Sequence, residues 1–147
     1  MEMLKIYMDI CCFNRPFDNQ AQMKIRLETE AKLFIQSNIR DDKYSIVWSY
    51  MHDYENSENP YEEKRDAIAP WKDIAKQFCS SSEDIPVAGQ KISLLGIKPK
   101  DSLHLACAIK CECDFFITTD KGLLNRKIDG IKIINPIDFV REMEDII

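Results

Sequence analysis

"KDSLHLACAIKCECDFFITTD", residues 100–120, sets two different hydrophobic patterns end to end. Following Pro99, the segment "KDSLHLACAIKCE" is apolar on nearly every side, which predicts a helix sandwiched within a core. "DFFITTD", aromatic and β-branched, reads as a strand that stops on Asp120. The alternation continues in both directions. Downstream, "KGLLNR" reads as a turn or short helix, "IKIIN" as a last strand, and "PIDFVREMED" as a final helix with Pro136 at its start. Upstream, "LKIYM" (4–8) and "YSIVW" (44–48) read as strands. Between them Met23, Leu27, Ala31, Leu33, Phe34 and Ile35 recur at helical spacing over residues 20–37. Residues 49–57 read as a short helix. Asn59-Pro60 predicts another with Pro60 at its first position, running to about Cys79 with a kink at Pro70. Residues 84–95 are ambiguous, and read as a short strand at 84–86 and a helix over 87–95 stopped at Gly96. Strands alternating with helices predict a three-layer α/β/α sandwich with a mainly parallel sheet, in a single domain spanning 1–147.

The bulk numbers fit that reading and exclude others. A chain of 147 residues, 45% hydrophobic and 31% charged, can bury a substantial core without staples. Six cysteines form no CxxC pair, and the apolar runs fall far short of a membrane span, so a reduced, cytoplasmic protein without membrane attachment is expected. A net charge of −5 argues against broad attraction to polyanions. A nucleic-acid substrate would therefore need a local device, a bound cation or a small basic rim.

Parallel α/β sheets bind ligands beyond the carboxyl ends of their strands. Two apolar strands stop there on an aspartate, Asp9 after "IYM" and Asp120 after "FFITT". Asp101 opens the buried helix, and Glu55 lies on the short helix after the second strand. Singly, each has an ordinary reading as a turn former, a first-turn acid or a solvated helix residue. Together at one end of one sheet they repel one another unless a divalent cation sits among them, and hard oxygen ligands suit Mg²⁺ or Mn²⁺.

"IYMD", "KDSLHLACA" with its Asp-x-x-His-x-Ala core, and "FFITTD" resemble the three signature segments of PIN-domain nucleases, in the family's order and over residues 4 to about 140. The resemblance implies a PIN-like fold and a metal-dependent ribonuclease, an endoribonuclease of the VapC type found in toxin–antitoxin pairs. It implies RNA as substrate, with an antitoxin protein and a second copy of the chain as partners. Asp9, Asp101 and Asp120 would hold Mg²⁺ or Mn²⁺. A fourth acid, counted from Ser49, falls on Glu55, with Asp53 as the alternative. Thr118 corresponds to the hydroxyl that supports the last aspartate. The small hydroxyl residue usual after the first aspartate is missing from "DICCFNRPF", and Asn14 is the candidate substitute. Arg15, Lys98, Lys100, Lys121 and Arg126 flank these segments as candidate phosphate contacts.

Other signals compete. His104 lies one helical turn from Asp101, where a supporting role beside the acids stands against a core histidine bonded to backbone. His104, Cys107 and Cys111 share a helical face, but lacking a fourth ligand they predict packing rather than zinc. Cys11 and Cys12 are expected to fill space as small hydrophobes. A catalytically silent PIN-like module that binds RNA or protein is the alternative function. An aspartyl phosphatase is disfavoured because Asp9 is followed by Ile10 and Cys11, giving no Asp-x-Asp, and there is no glycine-rich nucleotide loop.

Overall fold

A computed structural model of the protein describes residues 3–144. Strands β1 (Leu4–Met8), β2 (Tyr44–Ser49), β3 (Gln77–Cys79), β4 (Phe115–Ile117) and β5 (Lys132–Ile134) form one sheet in the order β3-β2-β1-β4-β5, with every neighbouring pair parallel. The helices are α1 (Ile10–Asn14), α2 (Met23–Arg40), α3 (Tyr50–Ser57), α4 (Glu62–Ile68), α5 (Trp71–Ile74), α6 (Asp84–Ser93), α7 (Pro99–Lys110), α8 (Lys121–Leu124) and α9 (Pro136–Glu144). A 3-10 turn, Arg15–Phe17, follows α1.

The inner strands β1, β2 and β4 are largely buried on both faces, as parallel sheets require, and the side chains divide with period two. Ile6, Met8, Ile46, Trp48, Phe115 and Ile117 enter a core shared with Ile35 and Ile39 of α2 and Phe139 of α9. Tyr7, Val47 and Phe116 point the other way, against Leu105 and Ala108 of α7 and Ile85 and Ile92 of α6. Each fully buried large side chain contributes about 1.5–3 kcal/mol of transfer free energy. This is the expected α/β/α sandwich, with a sheet that is parallel throughout.

Strand order carries the functional consequence. The chain builds β1, β2 and β3 outward in one direction, then returns to place β4 on the other side of β1. The reversal opens a crevice between β1 and β4 at their carboxyl ends, where ligands bind in open α/β sheets. Asp9 and Asp120 flank that switch point, and the Asp9 backbone N–H continues the ladder to Ile117 O at 2.9 Å.

The structure corrects several element boundaries. The helix expected over 20–37 runs from Met23 to Arg40, because the Asn19 side chain accepts from Ala21 N and turns the chain before it. Pro60 does not open a helix. Asn59 Oδ1 accepts from Tyr61 N in a local turn, and α4 begins at Glu62. No continuous helix reaches Cys79 either: α4 ends before Pro70, α5 lasts one turn, and Ala75 adopts extended geometry that leads into β3. Residues 84–86 belong to α6, not to a strand, and Gly96 turns the chain beyond that helix with φ +89°. The final helix is described to Glu144; Asp145 lies outside the described residues.

Candidate active site

Asp9 is 7% exposed and caps α1, accepting from Ile10 N at 2.8 Å through Oδ1. Its Oδ2 accepts from Thr118 Oγ1 at 2.9 Å and from Cys11 Sγ at 3.5 Å. Burial pushes its pKa above the ordinary carboxylate value and the Glu55 charge adds to this, while His104 and the bonds from Thr118 and Cys11 oppose. Asp101 lies in the first turn of α7, and its pKa is pushed up to about 6 by burial, by Asp9 and by Asp120, with Glu55 adding and His104 opposing. Asp120 caps α8 through a bond from Gly122 N at 2.8 Å, and its own N–H donates to Thr118 Oγ1 at 3.1 Å. Three aspartates from the ends of two strands and the start of one helix thus share one electrostatic neighbourhood.

Glu55 on α3 completes it. Its Oε1 accepts from His104 Nε2 at 2.8 Å, and donor atoms of Asp9, Glu55 and His104 all lie within 4.8 Å of one another. Asp53 instead accepts from Trp48 Nε1 at 2.8 Å and pairs with Lys72 at 2.9 Å, which turns it away from the other acids. Among the described residues no lysine or arginine forms an ion pair with Asp9, Asp101, Asp120 or Glu55. The donor set fits a divalent cation: several acids, one imidazole nitrogen, and pKa values of Asp9 and Asp101 raised by burial and neighbouring charge.

His104 is not a core histidine bonded to backbone. It is fully buried on α7, with Nε2 toward Glu55 and Nδ1 bonded to the Tyr7 hydroxyl. Burial alone would lower its pKa, but the Glu55 bond and the charges of Asp9, Glu55 and Asp101 together hold it above the ordinary histidine value. Neighbouring His52, equally buried, is pulled down to about 3 by burial and by His104.

Two supporting assignments change. Asn14 makes no bond to Asp9, and its Oδ1 is buried without a partner. The residue that supports Asp9 is Thr118, reaching across from the neighbouring strand, so one hydroxyl holds the Asp9 side chain and the Asp120 backbone together. Cys11 is not simple filling, since its sulfur touches both Asp9 and Thr118, whereas Cys12 is fully buried in the core.

The flanking cations also separate. Lys98 and Arg126 line a cavity of about 150 Å³ with Asp101, Asp120 and Gly122. Lys100 lines a second, of about 350 Å³, with Ile10, Asn14, Glu55 and Glu58. Lys121 is exposed. Arg15 is committed elsewhere, to Asp18 at 2.7 Å and Glu28 at 3.0 Å. Tyr7 and Ser49 carried a sequence signal only as polar atoms in apolar strands, where a buried hydroxyl needs a partner. His52 showed none, because its partners are set by tertiary packing.

No protein-family model matches the chain, and no curated protein matches it. Among solved structures, the crystal structure of VapBC2 from Rickettsia felis bound to a DNA fragment from its promoter is similar. The match covers 90% of this chain and 98% of that one, at 12% identity and a TM-score of 0.56. At that identity the likeness is one of fold.

Proposed function

We propose that the chain is a metal-dependent ribonuclease of the PIN-like type, hydrolysing RNA phosphodiester bonds at the β1–β4 switch point. The observation that carries this is the mutual electrostatic influence of Asp9, Glu55, Asp101 and Asp120 around the carboxyl end of the sheet, without a lysine or arginine partner among the described residues. A divalent cation, Mg²⁺ or Mn²⁺, supplies an activated water and charge neutralisation on the phosphate when bound. Asp9, Glu55, Asp101 and Asp120 are the residues that would hold it. Thr118 fixes the orientation of Asp9, and Lys98, Lys100 and Arg126 line the approach for a phosphate backbone. A bound cation also answers the net charge of −5, which otherwise repels a polyanion.

The test is cleavage of single-stranded RNA by the cytoplasmically expressed chain with Mn²⁺ or Mg²⁺, with EDTA, and with Asp101→Asn. Activity is expected only with metal and intact Asp101. Cleavage insensitive to both EDTA and the substitution would remove the mechanism.

A toxin–antitoxin role is part of the same proposal. On α2, Met23, Leu27 and Phe34 fall on one side of the helix and are each about half exposed, an apolar surface suited to a protein partner such as an antitoxin or a second copy. Co-expression with the product of the adjacent reading frame should yield a stable complex that suppresses cleavage. Free cleavage in its presence, with no complex on size exclusion, would separate the nuclease from the toxin role.

A further inference from the structure

Behind the acids, buried hydrogen bonds run from Glu55 through His104, Tyr7 and Ser49 to His52, and one end of the run has a fixed polarity. Ser49 N–H donates to His52 Nδ1 at 2.9 Å. A backbone N–H can only donate, so Nδ1 is a bare acceptor and the His52 ring proton sits on Nε2, which donates to Met8 O at 2.8 Å. Ser49 Oγ lies 3.2 Å from that same Nδ1, Tyr7 Oη lies 2.7 Å from Ser49 Oγ, and His104 Nδ1 bonds Tyr7 Oη.

A chain that ends on an acceptor can take up a donor at its other end. With a proton on His104 Nδ1, Nδ1–H donates to Tyr7, Tyr7 O–H donates to Ser49, and Ser49 O–H donates to His52 Nδ1. Every buried donor is then satisfied, which burial demands. In the metal-free chain His104 Nε2–H donates to Glu55 Oε1 at 2.8 Å. A cation that displaces that proton meets the Nε2 lone pair beside Asp9 and Glu55, whose oxygens share its 4.8 Å cluster, while Nδ1–H stays bonded to Tyr7. Metal-bound histidines carry this arrangement, with the outer nitrogen donating to a hydrogen-bonded support.

We propose that His104 Nε2 ligates the cation together with Asp9 and Glu55, and that Tyr7, Ser49 and His52 position it, so that the site favours a first-row transition ion such as Mn²⁺ over Mg²⁺. This rests on the metal-dependent reading above and sharpens it. Mg²⁺ takes oxygen ligands almost exclusively, whereas imidazole nitrogen suits the transition ions. Tyr7 is a positioning residue. Its ring is stacked on Phe116 with centroids 5.2 Å apart, so only its hydroxyl is directed at the histidine.

Pulsed EPR of Mn²⁺ bound to the full chain tests the proposal directly. The unmutated protein should show nitrogen modulation that changes from the ¹⁴N to the ¹⁵N pattern when histidine is ¹⁵N-labelled. The chain has two histidines, and both ring nitrogens of His52 are engaged within the protein, so the signal reports His104. Tyr7→Phe should keep the signal while weakening Mn²⁺ binding roughly 10-fold and Mg²⁺ binding less, narrowing the preference between them. Mn²⁺ that binds, depends on Asp9 and shows no nitrogen modulation would overturn the proposal and leave the nuclease reading standing. A chain that binds no Mn²⁺ at all would overturn both.

Discussion

Glu28 on α2 and Asp9 at the end of β1 are both buried carboxylates, 0% and 7% exposed, and they are neutralised in opposite ways. Glu28 accepts from Arg15 Nε at 3.0 Å and from Asn135 Nδ2 at 2.5 Å, so a permanent cation and an amide satisfy it from within the chain. Asp9 receives only a backbone N–H, a threonine hydroxyl and a thiol, and its charged neighbours are two further acids, Glu55 and Asp101, and one histidine, His104. A buried charge that carries its own counter-charge is closed. One surrounded by other acids remains open to a cation from solution, and that difference separates the supporting ion pair from the candidate centre.

The contrast breaks most sharply under the isosteric substitutions. Asp9→Asn keeps the capping oxygen for Ile10 N but removes the ligand charge. Several kcal/mol of transition-state stabilisation, roughly 10³-fold or more in metal-dependent RNA cleavage, should disappear while the melting temperature barely moves. Glu28→Gln should do the reverse. Removing one partner of a buried ion pair costs about 3–5 kcal/mol, and because Arg15 retains Asp18 the lower figure, about 3 kcal/mol, is expected in denaturant melts, with cleavage by the remaining folded protein unchanged. Equal losses of activity in the two variants would erase the distinction.

The adjacent cysteines divide along the same line at smaller magnitude. Cys12 is fully buried on the side of the sheet that packs α2, so Cys12→Ala should cost about 1–2 kcal/mol of stability with little effect on metal binding. Cys11 touches Asp9 and Thr118, so Cys11→Ala should cost less than about 0.5 kcal/mol yet alter Mn²⁺ affinity measured by titration calorimetry. The opposite pattern would show that Cys11 is the structural residue of the two.

Residue pattern alone exposes some of this. Apolar strands ending on Asp9 and Asp120, and a nearly all-apolar helix opened by Asp101, are local features, and local periodicity reveals them. Strand β3 stayed hidden because it is three residues long at the sheet edge with Phe78 exposed, leaving too few alternations to register. Pairwise partners are hidden for a different reason. Thr118 supports Asp9 because β4 lies beside β1, a neighbourhood 109 residues apart in the chain, and Glu55 meets His104 across 49. Asn14, though close to Asp9 in sequence, makes no bond to it; it lines the cavity beside Glu55 with its Oδ1 unpartnered.

The open site has a cost that pH should make visible in the metal-free protein. The pKa of Asp101 is raised from an ordinary value of 3.8 to about 6, so between those two pH values the folded chain binds more protons than the unfolded one. Unfolding free energy therefore falls as pH rises through that window, and the stability present below pH 4 is lost above pH 6. The charge-favouring dipole at the start of α7 is outweighed by burial and by the neighbouring acids. Asp101→Asn removes the ionisation, so in EDTA the variant should melt higher than the parent at pH 7.5, by about 1 kcal/mol once solvent screening of a partly exposed group is allowed for. At pH 4.5, where the parent Asp101 is itself mostly protonated, the two should melt together. Saturating Mn²⁺ should reverse the order at pH 7.5, because the ligand charge that destabilises the free chain is the one that binds the ion. A parent more stable than Asp101→Asn in EDTA at pH 7.5 would mean that the acids are already balanced from within, as Glu28 is, and that the crevice is no site for a cation.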